Sequence, residues 1–461
     1  MIVFQEETIA AIATPPGVGG IGIIRVSGPE AEDICRKLFR PRKSTTHLQS
    51  HHLYHGEIIS PRTDAVIDEV LVSVMRKPHT YTGDDTFEIN CHGGPLILRD
   101  VLEAVVNAGA RLAGPGEFTR RAFLNNRIDL SQAEAVMDLI TARTERGRDM
   151  ALSHLRGGLS LKIREIRDTL VDVLAHLEIA IDFTEEDIHP ESDEGLTRKI
   201  RAVASDIRGM LATYREGKLH REGFSVVITG KPNVGKSSLL NRLLGQRRAI
   251  VTGTPGTTRD FIEETVSIRG IPVVCTDTAG IRECSEEVER EGIDFVWQKV
   301  SSADLVIILL DGSSPLTGED RDIVEGNRER PAMVVCNKND LPHALTDEAC
   351  RVLRPEGAPL WISAKFGEGI EELKEKIYDF ATAGEQAAAS EWVVTNLRHK
   401  QALEKAGEQL AKAEEGVEKG LSPELPAFDV REALDALGEI VGETTNEEIL
   451  DRIFSEFCIG K

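Results

Sequence analysis

Eight residues near the middle of the chain have the types and spacing that bind phosphate. They run from Gly230 to Ser237 and read GKPNVGKS, the pattern G-x-x-x-x-G-K-[ST]. The glycines allow backbone N–H groups to surround phosphate oxygens, Lys236 can reach the β and γ phosphates, and Ser237 has the hydroxyl that holds Mg²⁺. The apolar run FSVVIT precedes the motif and the helical run SLLNRLL follows it. We therefore predict a strand, a phosphate-binding loop and a helix in that order.

Two later motifs predict that the nucleotide is a guanine nucleotide. The NKND segment at 337–340 contains Asp340, whose carboxylate can accept both the ring N–H and the exocyclic amine of guanine. Adenine offers no such pair of donors, and a site built to receive them rejects the wrong base strongly because its acceptor stays unpaired. The SAK segment at 363–365 completes the base pocket. The sequence therefore predicts GTP rather than ATP.

The segment DTAG at 277–280 predicts the γ-phosphate side of the site. Asp277 suits the magnesium shell and the Gly280 amide suits the γ-phosphate. In GTPases of the Ras type the next residue is a glutamine that orients the attacking water, whereas Ile281 stands here and cannot do so. Another group must therefore place the water.

The loop AIVTGTPGTTRD at 249–260 contains Thr258, which we expect to bind Mg²⁺ when the γ-phosphate is present. Its composition fits an ordinary flexible loop equally well. Four acidic residues after the DTAG segment could place the water, but they look alike as residues and each also suits a solvated acidic helix: Glu286, Glu287, Glu289 and Glu291.

The predicted nucleotide site is a set drawn from all these segments, with Ser237 and Thr258 as the Mg²⁺ ligands. Its members are Asn233, Val234, Gly235, Lys236, Ser237, Ser238, Thr252, Gly253, Thr254, Pro255, Gly256, Thr257, Thr258, Asp277, Thr278, Ala279, Gly280, Asn337, Lys338, Asp340, Ser363, Ala364 and Lys365.

Hydrophobic patterning predicts a multidomain fold around this site. Residues 1–120 mix short β-like runs with one helix near 95–108, which is typical of an α+β domain. Apolar residues spaced mostly three and four apart between Leu152 and Leu177 predict one long helix in a helical domain at 121–222. Predicted strands and helices alternate at 223–383, which indicates an α/β G domain of the P-loop, Ras-like type. Residues 384–461 again have the hydrophobic pattern of helices. The G domain is therefore predicted to be inserted into an α-helical bundle domain.

Composition limits the class of protein. A chain of 461 residues is long enough for two to four domains, and it has no apolar run of eighteen residues, so we expect no membrane association. The N-terminal MIVFQEET lacks a basic region, so we expect no secretory signal, and seven scattered cysteines suggest reduced thiols in the cytoplasm. The net charge of −22 argues against binding nucleic acid by bulk electrostatics.

The chain resembles a known family, the tRNA-modification GTPases MnmE, also called TrmE. The resemblance covers essentially the whole sequence: TPPGVGGIGIIRVSG, TGDDTFEINCHGGP, GEFTRRAFLNNRIDLSQAEAVMDLI, GKPNVGKSSLLN, GTPGTTRD, DTAGIR and the final FCIGK. It implies a GTPase activated by K⁺ and by dimerisation of the G domains. The implied K⁺ ligands are Asn233, the backbone carbonyls of Thr252 and Thr254, and Thr257. The resemblance also selects Glu289, which would act on the attacking water through a second water, beside Lys236 in catalysis.

The same resemblance gives the first domain a role in binding tetrahydrofolate and in forming a homodimer. The implied folate contacts are Arg25, Glu88, Arg127 and Lys461. Arg127 departs from the lysine that some members have, which keeps the charge but changes the geometry. Cys458 is implied to lie near the folate with a part in the chemistry, although a buried thiol in the last helix is an equally good interpretation.

The implied function is enzymatic. As a heterotetramer with a FAD-dependent partner of the MnmG (GidA) type, the protein would install a 5-carboxymethylaminomethyl or aminomethyl group on the wobble uridine of certain tRNAs. 5,10-Methylenetetrahydrofolate, or a formyl-tetrahydrofolate analogue, would bind as the folate, and glycine or ammonium would supply the nitrogen. The alternative is a ribosome-assembly or signalling switch of the Era or Der kind, without covalent RNA chemistry. Such proteins usually carry a basic RNA-binding module, whereas this chain has the folate-like domain and the CIGK tail.

Overall fold

A seven-stranded sheet forms the centre of the N-terminal part of the chain. The structure is a computed structural model, and it describes residues 7–43, 47–182, 192–245, 263–277, 303–353, 358–382 and 392–461. The strands are β1 (Ile9–Ile12), β2 (Gly22–Ser27), β3 (Phe39–Pro41), β4 (His52–Ile59), β5 (Val66–Met75), β6 (Thr86–Cys91) and β7 (Arg111–Leu112), in the order β3-β4-β5-β6-β2-β1-β7. Helices α1 (Ala31–Leu38) and α2 (Pro95–Asn107) pack on this sheet, and α3 (Glu117–Leu124) follows it. The predicted α+β domain and its helix near 95–108 are confirmed.

Five helices then lead to the nucleotide-binding part. They are α4 (Leu130–Thr141), α5 (Glu145–Leu155), α6 (Gly158–Asp182), α7 (Asp193–Ala212) and α8 (Tyr214–Glu222). The prediction of one long helix from Leu152 to Leu177 is wrong, because α5 ends at Leu155 and α6 begins at Gly158. Gly157 between them has φ +88°, a left-handed conformation that glycine adopts easily and that ends a helix. The apolar spacing continues across this break, so periodicity alone could not show it.

A six-stranded sheet forms the G domain. Its strands are β8 (Phe224–Thr229), β9 (Glu263–Ile268), β10 (Ile271–Asp277), β11 (Leu305–Asp311), β12 (Ala332–Asn337) and β13 (Leu360–Trp361), in the order β13-β12-β11-β8-β10-β9. All neighbours are parallel except β9, which pairs antiparallel with β10 at the edge. The helices are α9 (Lys236–Leu244), α10 (Gly318–Glu325), α11 (Asp347–Leu353) and α12 (Ile370–Thr382). The predicted parallel α/β sheet is confirmed, and β9 is an addition that the sequence did not reveal.

Three helices complete the chain and return to the helical domain. They are α13 (Leu397–Glu418), α14 (Glu424–Val441) and α15 (Glu447–Ser455). One buried cluster combines side chains from α6 and α7, such as Ile163 and Ile207, with side chains from α13 and α14, such as Leu403 and Leu437. A single helical core is thus built from segments on both sides of the G domain, as predicted for an insertion.

Within the described ranges, no helix has the length and apolar character needed to cross a membrane. The domain limits at 120, 222 and 383 stay predictions. The first of them falls inside α3, which runs from Glu117 to Leu124.

Candidate functional site

The phosphate-binding loop lies between β8 and α9, where the sequence predicts it. Lys236 is the first residue of α9, and its ammonium group donates hydrogen bonds to the carbonyls of Gly230 (2.9 Å) and Lys231 (2.8 Å). Gly235, with φ +101°, precedes the helix, and a Cβ there would collide with the Asn337 amide. The first N–H groups of α9 have no partner within the helix, so the loop offers donors and positive charge to a phosphate.

A second lysine fixes this loop to the neighbouring helix α10. The Lys231 ammonium lies 2.7 Å from Asp320 Oδ2 and donates to Thr317 Oγ1 at 3.1 Å. Asp320 is buried and forms a capping box with Thr317 at the start of α10. Lys231 occupies a variable position of the motif, so no sequence pattern predicts this contact.

Asn337 joins the phosphate loop to the base-binding segment. This side chain is buried, and its Nδ2 donates to the carbonyl of Val234 at 2.8 Å. Its Oδ1 accepts a hydrogen bond from the Ala364 amide at 2.9 Å. The sequence places Asn337 in the nucleotide site, and the structure engages both ends of its amide with the protein. Asn337 therefore shapes the pocket by holding two of its loops together.

The remaining base-pocket residues converge on the same edge of the sheet. Ser363 Oγ donates to Asp340 Oδ1 at 2.6 Å, which orients the exposed carboxylate that is predicted to recognise guanine. Lys338, with φ +66°, pairs with Asp311 at 2.6 Å. The Lys365 ammonium lies 5.0 Å from the centre of the Phe366 ring. The structure thus brings the NKND and SAK segments together.

Other predicted nucleotide ligands are only partly described. Val234 is buried, whereas Asn233, Ser237 and Ser238 are exposed on the loop and the first turn of α9. Asp277 is the last residue of β10, and its backbone pairs with Ile228 on β8, the strand that precedes the phosphate loop. Outside the described residues lie Thr252, Gly253, Thr254, Pro255, Gly256, Thr257, Thr258, Thr278, Ala279, Gly280 and Glu289.

A second cluster of predicted site residues lies on the N-terminal sheet. Arg25 on β2 and Glu88 on β6 face each other across the two strands, and Arg25 Nε donates to Glu88 Oε1 at 2.8 Å. The guanidinium also lies over the rings of Tyr81 (5.5 Å) and Phe118 (5.7 Å). Sequence reasoning missed both rings, because nothing in the pattern relates them to Arg25.

The last residues of the chain pack onto this cluster. Ile459 forms an antiparallel bridge with Pro115, and the Phe118 amide donates to the carbonyl of Lys461 at 3.2 Å. Arg25 Nη1 donates to the carbonyl of Gly460 at 3.3 Å. Arg25, Glu88 and the tail that carries Lys461 are therefore brought together, although they are far apart in sequence.

The charges of this cluster influence one another. Burial and the neighbouring Arg25 charge lower the pKa of Lys461. Cys458 is exposed in the same tail, beyond the end of α15 at Ser455, so the interpretation as a buried thiol in the last helix is wrong. The fourth predicted folate residue, Arg127, is exposed and donates to the carbonyl of Thr80 at 3.0 Å, next to the Tyr81 that lies against Arg25. The arrangement presents a carboxylate, guanidinium groups and an ammonium group beside two aromatic rings, which suits an anionic heteroaromatic ligand.

Comparisons with known proteins match both the N-terminal part and the rest of the chain to one family. The model of the MnmE helical domain matches residues 130–458, and the model of the GTP-binding protein TrmE N-terminus matches residues 8–127. A tRNA modification GTPase MnmE of Syntrophus aciditrophicus (strain SB) is 56% identical over 458 residues, which cover 99% of this chain and 100% of that relative. Another, of Geobacter sulfurreducens (strain ATCC 51573 / DSM 12127 / PCA), is 47% identical over 459 residues, which cover 99% and 100%.

The G domain also has a distant likeness among solved structures. The G domain of the T. maritima FeoB iron transporter is 28% identical with a TM-score of 0.26, over 34% of this chain and 98% of that chain. This value is too low to support a functional conclusion.

Proposed function

The chain belongs to the MnmE family of tRNA modification GTPases and is a GTP hydrolase, and on that premise we propose how it uses GTP and what it modifies. We propose that K⁺ activates the hydrolysis, that the protein is a cytoplasmic homodimer through its N-terminal domain, and that it works with a FAD-containing partner of the MnmG type. Together they would form 5-carboxymethylaminomethyl or aminomethyl uridine at the wobble position of certain tRNAs.

The observation that carries this proposal is the presence of two separate polar sites on one chain. The first is the guanine pocket formed by the P-loop, Asn337 and Asp340. The second is the Arg25–Glu88 pair with the tail packed on it. A GTPase that acts only as a switch needs the first site, whereas covalent chemistry with a bound one-carbon carrier needs the second as well.

The residues of the first site suit phosphoryl transfer. Lys236 and the N-terminus of α9 would hold the β and γ phosphates, and Ser237 with Thr258 would hold Mg²⁺. Asn233, Thr252, Thr254 and Thr257 would hold K⁺. A K⁺ ion bound beside the phosphates would supply positive charge where other GTPases use an arginine finger. Glu289 would then place the attacking water, which Ile281 cannot do.

The residues of the second site fit a tetrahydrofolate. Glu88 uses Oε1 to accept from Arg25, and a carboxylate has further lone pairs for the paired N–H groups of a pterin. Arg25, Arg127 and Lys461 are cations that can receive the carboxylates of the folate tail. When bound, 5,10-methylenetetrahydrofolate supplies the one-carbon unit. Tyr81 and Phe118 hold the Arg25 guanidinium in place for that contact.

Exchange of the cation tests the first part of the proposal. GTP turnover is measured in KCl and in NaCl at equal ionic strength. We expect turnover to fall at least about tenfold in NaCl, because the ion would recover part of the 10³–10⁵ that an arginine finger contributes. Equal rates in the two salts would remove K⁺ from the proposal and leave GTP hydrolysis intact.

Glu289→Ala is expected to slow hydrolysis while nucleotide affinity stays unchanged.

Analysis of tRNA tests the second part. Wobble uridines are examined by mass spectrometry in cells that lack the gene and in cells that carry the wild type, Arg25→Ala or Arg36→Ala. Arg36 is a matched control because it is an exposed arginine of the same domain that pairs with Glu32 on its own helix. We expect the wild type and Arg36→Ala to restore the modification and Arg25→Ala to fail. Unchanged tRNA in cells without the gene would favour the switch without RNA chemistry.

A further inference from the structure

Helix α4 runs from the side of the molecule that contains Arg127 to the G domain. It begins at Leu130, three residues after Arg127, and its N-cap residue Asp129 forms a capping box with Gln132. With 12 residues it is about 18 Å long, at about 1.5 Å of rise per residue. Just beyond its C-terminus, Arg143 Nη1 donates to Thr265 Oγ1 on β9 of the G domain at 2.8 Å. One helix therefore has the folate-side loop at one end and the G domain at the other.

The first turn of α4 packs against the helix that carries the C-terminal tail. Leu130 and Ala133 form a buried cluster with Leu450 and Phe454 of α15 and with Phe457. The residues after Phe457 are the tail that meets Arg25. A displacement of the start of α4 must therefore displace α15, or open the cluster.

The middle of α4 is bonded to the segment by which the chain returns from the G domain. Glu134 is 7% exposed, and its Oε2 accepts from Arg398 Nη2 and from His399 Nε2, both at 2.7 Å. Its Oε1 accepts from Asn396 Nδ2 at 2.9 Å. All three donors lie in the few residues that lead into α13 and begin it.

One turn further along, α4 is bonded to the segment by which the chain enters the G domain. Asp138 lies 2.7 Å from Arg221 Nε. Arg221 lies on α8, three residues before β8 begins at Phe224. Glu134 and Asp138 are four residues apart and so lie on the same side of α4. Both chain crossings between the helical and G domains are thus held by one face of α4.

The Glu134 contacts resist separation because Glu134 is a buried carboxylate that faces the Arg398 guanidinium, whereas the Asp138–Arg221 pair is more exposed. Burial would raise the pKa of the Glu134 carboxyl, but the Arg398 charge and the hydrogen bonds from His399 and Arg398 lower it below its ordinary range. Because burial also lowers the pKa of His399, Arg398 is the partner that supplies the positive charge. Removal of one partner of a buried pair leaves an uncompensated charge, which is strongly unfavourable. If the two segments that connect the helical domain to the G domain move, we therefore expect α4 to keep its contacts and to move with them.

We propose that α4 transmits the position of the G domain to the tetrahydrofolate side of the molecule, with Glu134 as a positioning residue. The inference rests on the proposed function, since it requires a nucleotide-dependent G domain and a folate at the Arg25–Glu88 cluster. A nucleotide state that moves the G domain acts on α4 first through the Thr265–Arg143 hydrogen bond just beyond its C-terminus. Arg221, Asn396 and Arg398 keep the rest of the helix attached to the two connecting segments, so that the whole helix shifts. This shift then reaches Arg127 at one side and the tail at the other.

Two exposed variants test this without threatening the fold. Arg143→Ala and Thr265→Val each remove the contact between the α4–α5 connection and β9. Glu134→Gln acts directly on one connecting segment, but it leaves the partly buried Arg398 beside a neutral group. The matched control is Arg201→Ala, which removes an exposed arginine that joins α7 to Glu414, near the end of α13 opposite to Arg398.

The measurement uses the full-length protein with K⁺ and Mg²⁺. The Kd of 5-formyltetrahydrofolate is determined with GDP bound and with GDP and aluminium fluoride bound. We expect the two Kd values of the wild type to differ, within the range of about 5- to 150-fold that is usual for coupled sites. In Arg143→Ala and in Thr265→Val, the ratio of the two Kd values should move toward 1. The double variant should show no further change, because both substitutions remove the same hydrogen bond. Arg201→Ala should keep the wild-type ratio. Hydrogen exchange of the α4 amides should differ between the two states in the wild type and less in Arg143→Ala.

The outcomes separate this inference from the proposed function. If the wild type binds 5-formyltetrahydrofolate equally in both nucleotide states, the inference is wrong although both sites stand. It is also wrong if Arg143→Ala and Thr265→Val keep the wild-type ratio and the wild-type exchange pattern. If the protein hydrolyses GTP and binds no folate in either state, the proposed function fails and the inference fails with it.

Discussion

At the scale of single residues, Asn337 joins two parts of the guanine pocket that come from different loops. Its amide bonds the Val234 carbonyl on the phosphate loop and the Ala364 amide in the SAK segment. A residue of this kind influences ligand affinity by fixing the shape of the site before the ligand arrives, because ordering costs free energy at the moment of binding.

Asn337→Ala should therefore weaken guanine nucleotide binding. The change removes both hydrogen bonds and leaves the buried Ala364 amide without its acceptor, and each such loss costs about 1–3 kcal/mol. We expect the Kd of GDP, measured by fluorescence with a labelled nucleotide, to rise about 10- to 100-fold. Asn339→Ala is the matched control, since Asn339 belongs to the same motif and its side chain donates to Glu368 at 3.4 Å instead of joining the two loops. Equal losses in both variants would contradict this role of Asn337.

A second residue-scale prediction concerns His154, which is buried on α5 and bonds the carbonyl of Val393 through Nε2 at 2.8 Å. Burial lowers the pKa of this imidazole from its ordinary 6.5 to about 4. Between these two values the unfolded chain binds a proton that the folded protein does not bind, so stability falls as the pH falls from 6.5 toward 4. From pH 7 to pH 5 this should lower the free energy of unfolding by about 2 kcal/mol.

Urea denaturation followed by circular dichroism at pH 7 and pH 5 measures this effect. The variant His154→Gln lacks the titrating group, so it should lose less stability than the wild type over the same interval. His52→Gln, which removes an exposed histidine of β4, should keep the wild-type difference. The same pH dependence in all three proteins would show that His154 does not contribute.

At the scale of elements, the C-terminal tail depends on a glycine conformation. Gly460 has φ +96°, and a Cβ there would lie 2.5 Å from the Ile12 carbonyl on β1. The tail can therefore lie flat against β1 and reach Arg25 only because residue 460 has no side chain.

Gly460→Ala should displace the tail from the second site. The strain of a left-handed alanine is about 1–2 kcal/mol, and the collision with Ile12 adds to it. We expect the Kd of 5-formyltetrahydrofolate, measured by calorimetry, to rise about tenfold or more while the GDP affinity stays unchanged. Gly20→Ala is the control, because a Cβ at Gly20 meets no atom within 4 Å. Wild-type folate affinity in Gly460→Ala would mean that the tail does not support this site.

The sequence predicted most elements and few of the contacts between them. Strand β11 is a continuous apolar run, and the phosphate motif sits between β8 and α9, so local patterning was enough for both. Strand β9 was missed because EETVSI is short and mostly polar. The break at Gly157 was missed because the apolar spacing on its two sides stays in step.

The features that the sequence did not predict are mostly contacts between residues that are distant in sequence. Arg25 meets the carbonyl of a residue 435 positions later, and Glu134 meets His399 across 265 positions. In a single sequence each of these residues is an ordinary polar residue on a strand or helix, with no pattern that names its partner. The nucleotide site was easier to predict because its motifs are local and each follows the end of a strand.

At the scale of the whole molecule, two hydrophobic cores are built from different parts of the chain. The bundle core combines α6 and α7 with α13 and α14, which flank the G domain in sequence. A G-domain core, which contains Val226 and Leu373, draws all its buried members from residues 224–381. The G domain can therefore fold from one continuous segment, whereas the bundle needs both flanking segments.

Two leucine variants should separate the melting of these cores. Leu403 on α13 and Leu373 on α12 are both fully buried, and replacement of such a leucine by alanine costs about 2–5 kcal/mol. In scanning calorimetry, added GDP should raise the transition of the G domain, because a ligand stabilises only the part that binds it. Leu373→Ala should lower this GDP-sensitive transition, and Leu403→Ala should lower the other. If each variant lowers both transitions equally, this prediction is wrong, and the bundle and the G domain unfold as one cooperative unit held together by the contacts of Glu134 and Asp138 with the two connecting segments.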